Sequence, residues 1–119
     1  MKKLDINKES QLLLGEFKVC QKAFIALGDE TRQQIIIALL ESGCKGLCAG
    51  EIPEKTKLSR PAVSHHLQIL KDAEIVAVRN EGTRKYYYMS ASMTQWSKIA
   101  AILNHVNDLV IEITKRKEE

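Results

Sequence analysis

Apolar residues recur at helical spacing through most of the chain and switch to alternation in one short stretch. Leu12, Leu13, Phe17, Cys20, Phe24 and Leu27 predict a first helix over about residues 8–27, with Gly28 as its stop. Asp29 caps a second helix that runs to Glu41 and ends at Gly43, with Ile35, Ile36, Leu39 and Leu40 on its buried side. A loop holding Cys44, Gly46 and Cys48 leads to a short third helix over about residues 50–56. Pro53 fits there because the first N–H groups of a helix have no internal partner. Ser59 caps a fourth helix, on which Val63, Leu67 and Leu70 fall at i, i+4 and i+7. Val76 and Val78 then alternate with Ala77, predicting strands over about 75–79 and 85–89 around a turn at Glu81-Gly82. A closing helix over about 92–115 carries Trp96, Ile99, Leu103, Val106, Val110 and Ile113 at spacings of 3, 4, 3, 4 and 3. Ile102 and Leu109 widen that seam, so one edge is expected to face the protein's own core and the other a second subunit.

The fourth helix carries the chemistry. At about 100° per residue, the side opposite its apolar stripe collects Pro61, Ser64, His65 and Gln68. These side chains are small or uncharged and can donate and accept hydrogen bonds, as a reader of DNA base edges must. Beside them the hairpin ends in Arg79-Asn80-Glu81-Gly82-Thr83-Arg84-Lys85. Charge is distributed accordingly. Residues 57–85 hold six Lys or Arg against three Asp or Glu, whereas residues 1–56 hold eight of each sign and residues 86–119 four of each. The whole net charge of +3 therefore lies on the fourth helix and the hairpin, where it can meet phosphates.

At 119 residues the chain is read as one domain, and three cysteines make an odd set that points to a reducing cytoplasm rather than a disulfide scaffold. No apolar run approaches a membrane span, and the N-terminus lacks the pattern of a signal peptide. Enzymatic chemistry finds no support: there is no phosphate-binding glycine loop, no nucleophile elbow, and no nucleophile near His65 and His66.

The segments FIALGDETRQQIIIALL, LSRPAVSHHLQILKDAEIV and RNEGTRKYYY, in that order, resemble the ArsR/SmtB family of winged helix-turn-helix repressors. The resemblance implies a mainly α (α+β) fold of about five helices with a two-stranded hairpin wing and a helical dimer interface. It divides the chain into an N-terminal dimerisation helix (1–27), a DNA-binding core and wing (29–91) and a C-terminal dimerisation helix (92–119). The implied partners are a second copy of the chain and an inverted-repeat operator in double-stranded DNA, with no membrane. Pro61, Ala62, Ser64, His65 and Gln68 are expected at base edges. Lys57, Ser59, Arg60 and Lys71 are expected at phosphates, together with Arg79, Thr83, Arg84 and Lys85 on the wing. Leu12, Leu13, Phe17, Trp96, Ile99, Leu103, Val106, Val110 and Ile113 are expected at the dimer interface. His66, off the centre of the apolar stripe, is expected to be a hydrogen-bonded boundary residue.

The inducing signal is not written in the usual places. Where the family has a Cys-x-Cys metal site, this chain has GLCAGEI, which keeps Cys48 and puts Gly50 at the second position. Cys44, with Cys20 from a partner, is a substitute ligand set, set against two small cysteines with no metal role. Where the family pairs Asp-x-His with His-x-x-Glu, this chain has Ser92-x-Thr94 and His105-x-x-Asp108, leaving two strong ligands of four. No cofactor is expected, and the inducer stays open. The alternatives are a Cys44/Cys48-based metal or thiol sensor on the same scaffold, or a winged-helix module that binds protein.

Overall fold

A computed structural model describes residues 4–118, which run through α1 (Ile6–Val19), α2 (Gln21–Leu27), α3 (Glu30–Glu41), a 3-10 turn (Gly43–Lys45), β1 (Leu47–Cys48), α4 (Ile52–Thr56), α5 (Arg60–Asp72), β2 (Ala77–Glu81), β3 (Arg84–Tyr88) and α6 (Trp96–Glu118). They form two compact units. One joins the described residues up to Gln21 with those from Ser97 onward, and the other is Lys22–Trp96.

In the first unit, Asp5 caps α1 by accepting from the Lys8 N–H at 3.2 Å. The helix expected over residues 8–27 is interrupted. Cys20, at φ −101° and ψ 17°, leaves the helical region while its N–H bonds back to the carbonyls of Glu16 and Lys18. Apolar spacing continues across the break, so periodicity alone could not show it. Within this unit Arg116 donates to the Leu4 carbonyl at 2.6 Å and pairs with Glu112, one turn earlier on α6.

The second unit is built on helix caps. Asp29 accepts from the Arg32 N–H at 2.9 Å, and that bond, with the Arg32 charge, holds its carboxyl below the usual carboxylate range. Ser59 accepts from the Ala62 N–H at 3.2 Å, and Pro61 follows in the first turn of α5. The link between α4 and α5 is short because Lys57 adopts a left-handed φ of 60°. α5 ends in a Schellman motif: Ile75 N–H bonds to Leu70 O, Glu74 N–H to Lys71 O, and Glu74 takes φ 57°. Ile35, Leu39, Ile52, Val63, Leu67, Leu70 and Ile75 are fully buried. Each contributes about 1.5–3 kcal/mol by leaving water, and together they hold α3 against α4 and α5.

The sheet departs from expectation in two ways. It has three antiparallel strands in the order β1-β3-β2, not two, because Leu47 and Cys48 pair with Tyr87 and Tyr86. Gly46 makes this approach possible: at φ 74°, a Cβ there would lie 2.5 Å from the Tyr87 carbonyl. The hairpin also begins two residues later than expected. Ile75 and Val76 are buried ahead of it, and the loop is Gly82-Thr83, with Gly82 at φ 62° in the place a type II′ loop reserves for glycine. α6 likewise starts at Trp96 rather than residue 92. Before it, Ser90 and Thr94 turn the chain, the Thr94 hydroxyl donating to Ser90 O and the Met93 N–H to Ser90 Oγ.

Candidate nucleic-acid interface

α5 sorts its side chains as its spacing dictates. Val63, Leu67 and Leu70 are buried, while Pro61, Ser64, His65 and Gln68 are exposed and Ala62 is half-buried. Nothing charged interrupts this face between Pro61 and Gln68. Lys57, Ser59, Arg60 and Lys71 are exposed at its two ends, with the Ser59 hydroxyl already accepting the Ala62 N–H. Gln68 donates from Nε2 to Asp72 Oδ1 at 2.9 Å, a contact the sequence reading missed although it joins i to i+4.

His66 sits apart from that face. It is half-buried, and its Nδ1 lies 3.3 Å from a guanidinium nitrogen of Arg32. Arginine only donates, so Nδ1 accepts and the ring proton stays on Nε2. The same guanidinium donates to the carbonyls of Ala26 at 2.7 Å and Ile25 at 3.3 Å. It thereby ties the end of α2 to the middle of α5.

On the wing, Thr83, Arg84 and Lys85 are exposed. The Arg84 guanidinium is held further above its usual range by its hydrogen bond to Tyr86, so its charge is permanent. Arg79 is engaged within the protein. It was expected to meet DNA, but its guanidinium donates to Lys45 O at 2.6 Å, to Cys44 O at 3.4 Å and to Glu81 at 2.9 Å. It also stacks 5.3 Å from the ring centres of Tyr86 and Tyr88. With its donors taken up inside the protein, Arg79 is a brace between the wing and the Cys44–Lys45 turn.

The residues expected at a dimer interface divide. Leu13 and Ile99 are buried in their own chain, and Trp96 donates its indole N–H to Ile75 O at 2.9 Å, so these three serve the chain's own packing. Val106 is half-buried. Leu12, Phe17, Leu103, Val110 and Ile113 are exposed, and they are joined by Leu14, Val19 and Ile111, which the seam did not include. The reason is geometric. On α6, Leu103 and Val110 each follow a buried residue, Ile102 and Leu109, at about 100° around the helix, and so lie on the outer edge of the apolar stripe.

The family's metal sites do not fit these residues. Cys48 donates its thiol to Glu51 at 3.0 Å, and that bond and the Cys48 N–H hold the Glu51 carboxyl below its usual range. Cys44 is exposed, and Cys20 is buried. His105 has both ring nitrogens engaged, Nε2 with Glu9 at 2.6 Å and Nδ1 with Glu16 at 3.2 Å, rather than standing beside Asp108. Those two carboxylates raise its pKa above the usual histidine value, Glu16 contributing most. Among the described residues no group of three or more His, Cys, Asp or Glu is arranged to hold a metal ion. Among them too, no helix is long and apolar enough to cross a membrane.

Residues 29–78 match the sequence model of a family described as "Bacterial regulatory protein, arsR family". An uncharacterised HTH-type transcriptional regulator of Methanocaldococcus jannaschii is 40% identical over 76 residues, covering 64% of this chain and 83% of that protein. The transcriptional repressor SdpR of Bacillus subtilis is 39% identical over 84 residues, 71% of this chain and 89% of the repressor. Among solved structures, the homodimeric winged helix-turn-helix DNA-binding domain of a possible ArsR-family regulator from Mycobacterium bovis superposes with a TM-score of 0.58. It shares 27% identity, over 87% of this chain and 88% of that one.

Proposed function

Because the chain belongs to the arsR family of bacterial regulatory proteins, and is thus a DNA-binding transcriptional regulator rather than an enzyme, we propose that it acts as a homodimeric cytoplasmic repressor of an inverted-repeat operator. The observation that carries this reading is the exposed, uncharged face of α5 beside a wing whose Arg84 and Lys85 are exposed. Ser64, His65 and Gln68, with Pro61 and Ala62 for apolar contact, read base edges in the major groove. Lys57, Ser59, Arg60 and Lys71 meet phosphates at the ends of the helix, and Thr83, Arg84 and Lys85 meet them from the wing. A second copy covers the exposed apolar residues of α1 and α6, in keeping with the homodimeric Mycobacterium bovis neighbour. Two α5 helices related by a twofold axis then address half-sites about one helical turn apart.

No cofactor enters this reading, and the inducer is unassigned. Binding to random duplex at falling salt tests the function: a regulator gains affinity as salt drops, and no affinity at low salt would instead favour a protein-binding winged helix. Operator binding with and without Zn(II), As(III), Cd(II) or oxidant, repeated on a Cys44→Ser/Cys48→Ser variant, tests the signal. A response lost in that variant would make the cysteines the sensor.

A further inference from the structure

We propose that Asp72 determines what Gln68 reads: by fixing the Gln68 carboxamide, it makes this side chain select adenine over guanine. The proposal rests on the assignment of α5 as the base reader and adds a specificity-determining residue that does not itself touch a base.

Gln68 and Asp72 are both exposed and lie one turn apart, with Nε2 of the amide 2.9 Å from Oδ1 of the carboxylate. A glutamine amide alone is ambiguous, because a half-turn about its last bond exchanges donor and acceptor. A carboxylate removes the ambiguity. It has only acceptors, so the amide must turn its NH2 toward Asp72, and one of the two N–H bonds is spent there. The edge left for DNA is one N–H beside Oε1. In the major groove adenine presents the N7 acceptor beside the N6 donor, and this edge matches both. Guanine presents N7 beside O6, two acceptors. A freely rotating amide can turn both N–H groups toward them, whereas the held amide sets its own Oε1 against O6.

Asp72 should also carry a cost. Its negative charge at the end of the recognition face repels phosphates, so removing it favours every duplex slightly. Specificity and affinity therefore move in opposite directions on its loss. That pattern separates a positioning role from simple damage to the helix.

The test selects the preferred duplex from a random pool with the full-length protein, then measures binding to each single-base-pair variant. Gln68→Ala is expected to flatten preference at one base pair per half-site. At that same base pair, the wild-type preference for adenine over guanine is expected to be about tenfold or more. Asp72→Ala should bring it within about threefold, with affinity for random duplex unchanged or raised. Asp72→Asn, whose amide can donate as well as accept, restores the ambiguity and should lower the preference too, whereas Asp72→Glu, again acceptor-only, should retain more of it. Asp72→Ala keeping the wild-type ratio would overturn the proposal, as would a Gln68→Ala variant that alters no base pair. An Asp72→Asn variant that keeps the full wild-type ratio would overturn it too, since an amide partner cannot fix which way Gln68 turns. A wild-type protein that binds no duplex would instead remove the base-reading assignment beneath it.

Discussion

Replacing Arg79 by Met removes the brace between the wing and the Cys44–Lys45 turn while keeping an aliphatic stem. Hydrogen bonds from a charged group to carbonyls contribute about 1.5–3 kcal/mol, cation–π stacking on a half-buried tyrosine near solvent about 0.5–1, and an exposed ion pair at most about 1. The Arg79 side chain is 34% exposed, so solvent screening favours the lower ends of these ranges. Its contacts also share one guanidinium and do not add independently. The expected loss is about 1.5–3 kcal/mol of folding stability, read as a lower urea midpoint. Duplex binding should weaken too, since the wing that carries Arg84 and Lys85 loses its anchor. The decisive quantity is the slope of log affinity against log salt. A brace makes no phosphate contact, so the slope of Arg79→Met should equal that of the wild type. A variant as stable as the wild type, with a slope reduced by about 0.9 for each lost contact, would return Arg79 to the DNA surface and refute the brace.

Arg84→Ala is expected to behave in the opposite way: unchanged stability, weaker binding to all duplexes and a shallower salt slope. Glu at Leu103 or Val110, both about half exposed, should convert a dimer to monomer in sedimentation; a dimeric double variant would place the interface elsewhere. His105→Gln tests the imidazolium between Glu9 and Glu16. Its pKa is raised in the folded state, so its stabilising contribution is full below the ordinary histidine value and fades as pH rises through the folded one. Wild type should therefore exceed His105→Gln in stability at acidic pH and converge with it at alkaline pH. A gap independent of pH would mean that His105 packs without bridging as a cation.

Elements defined by local chemistry were legible in the sequence. The Ser59 cap, Pro61 and the stripe of Val63, Leu67 and Leu70 place α5 almost to the residue, because its signals lie within four positions of one another. What escaped depended on distant partners. β1 exists because Leu47 and Cys48 meet tyrosines some forty positions on, and nothing in a two-residue segment announces that. Arg79 looked like a wing cation because its acceptors are backbone carbonyls 34 and 35 residues away, invisible to any side-chain pattern. The break at Cys20 was hidden by apolar spacing that runs on through it. Asp72 is the instructive case, since its i, i+4 relation to Gln68 was in plain view. Charge counting had set it among the acidic residues that offset the basic window, which concealed its position.

The strand order β1-β3-β2 also bears on colloidal behaviour. The stickiest segment, Tyr86 to Tyr88, lies on the central strand, hydrogen-bonded on both sides. Of the two rims, one is only two residues long and the other ends in Arg79, Asn80 and Glu81, side chains that discourage a foreign strand from adding. The wing can thus project into solvent at the concentrations of a working cell without templating fibrils. Replacing that charged rim with β-branched residues would expose the tyrosine strand's neighbour as a landing site for other chains.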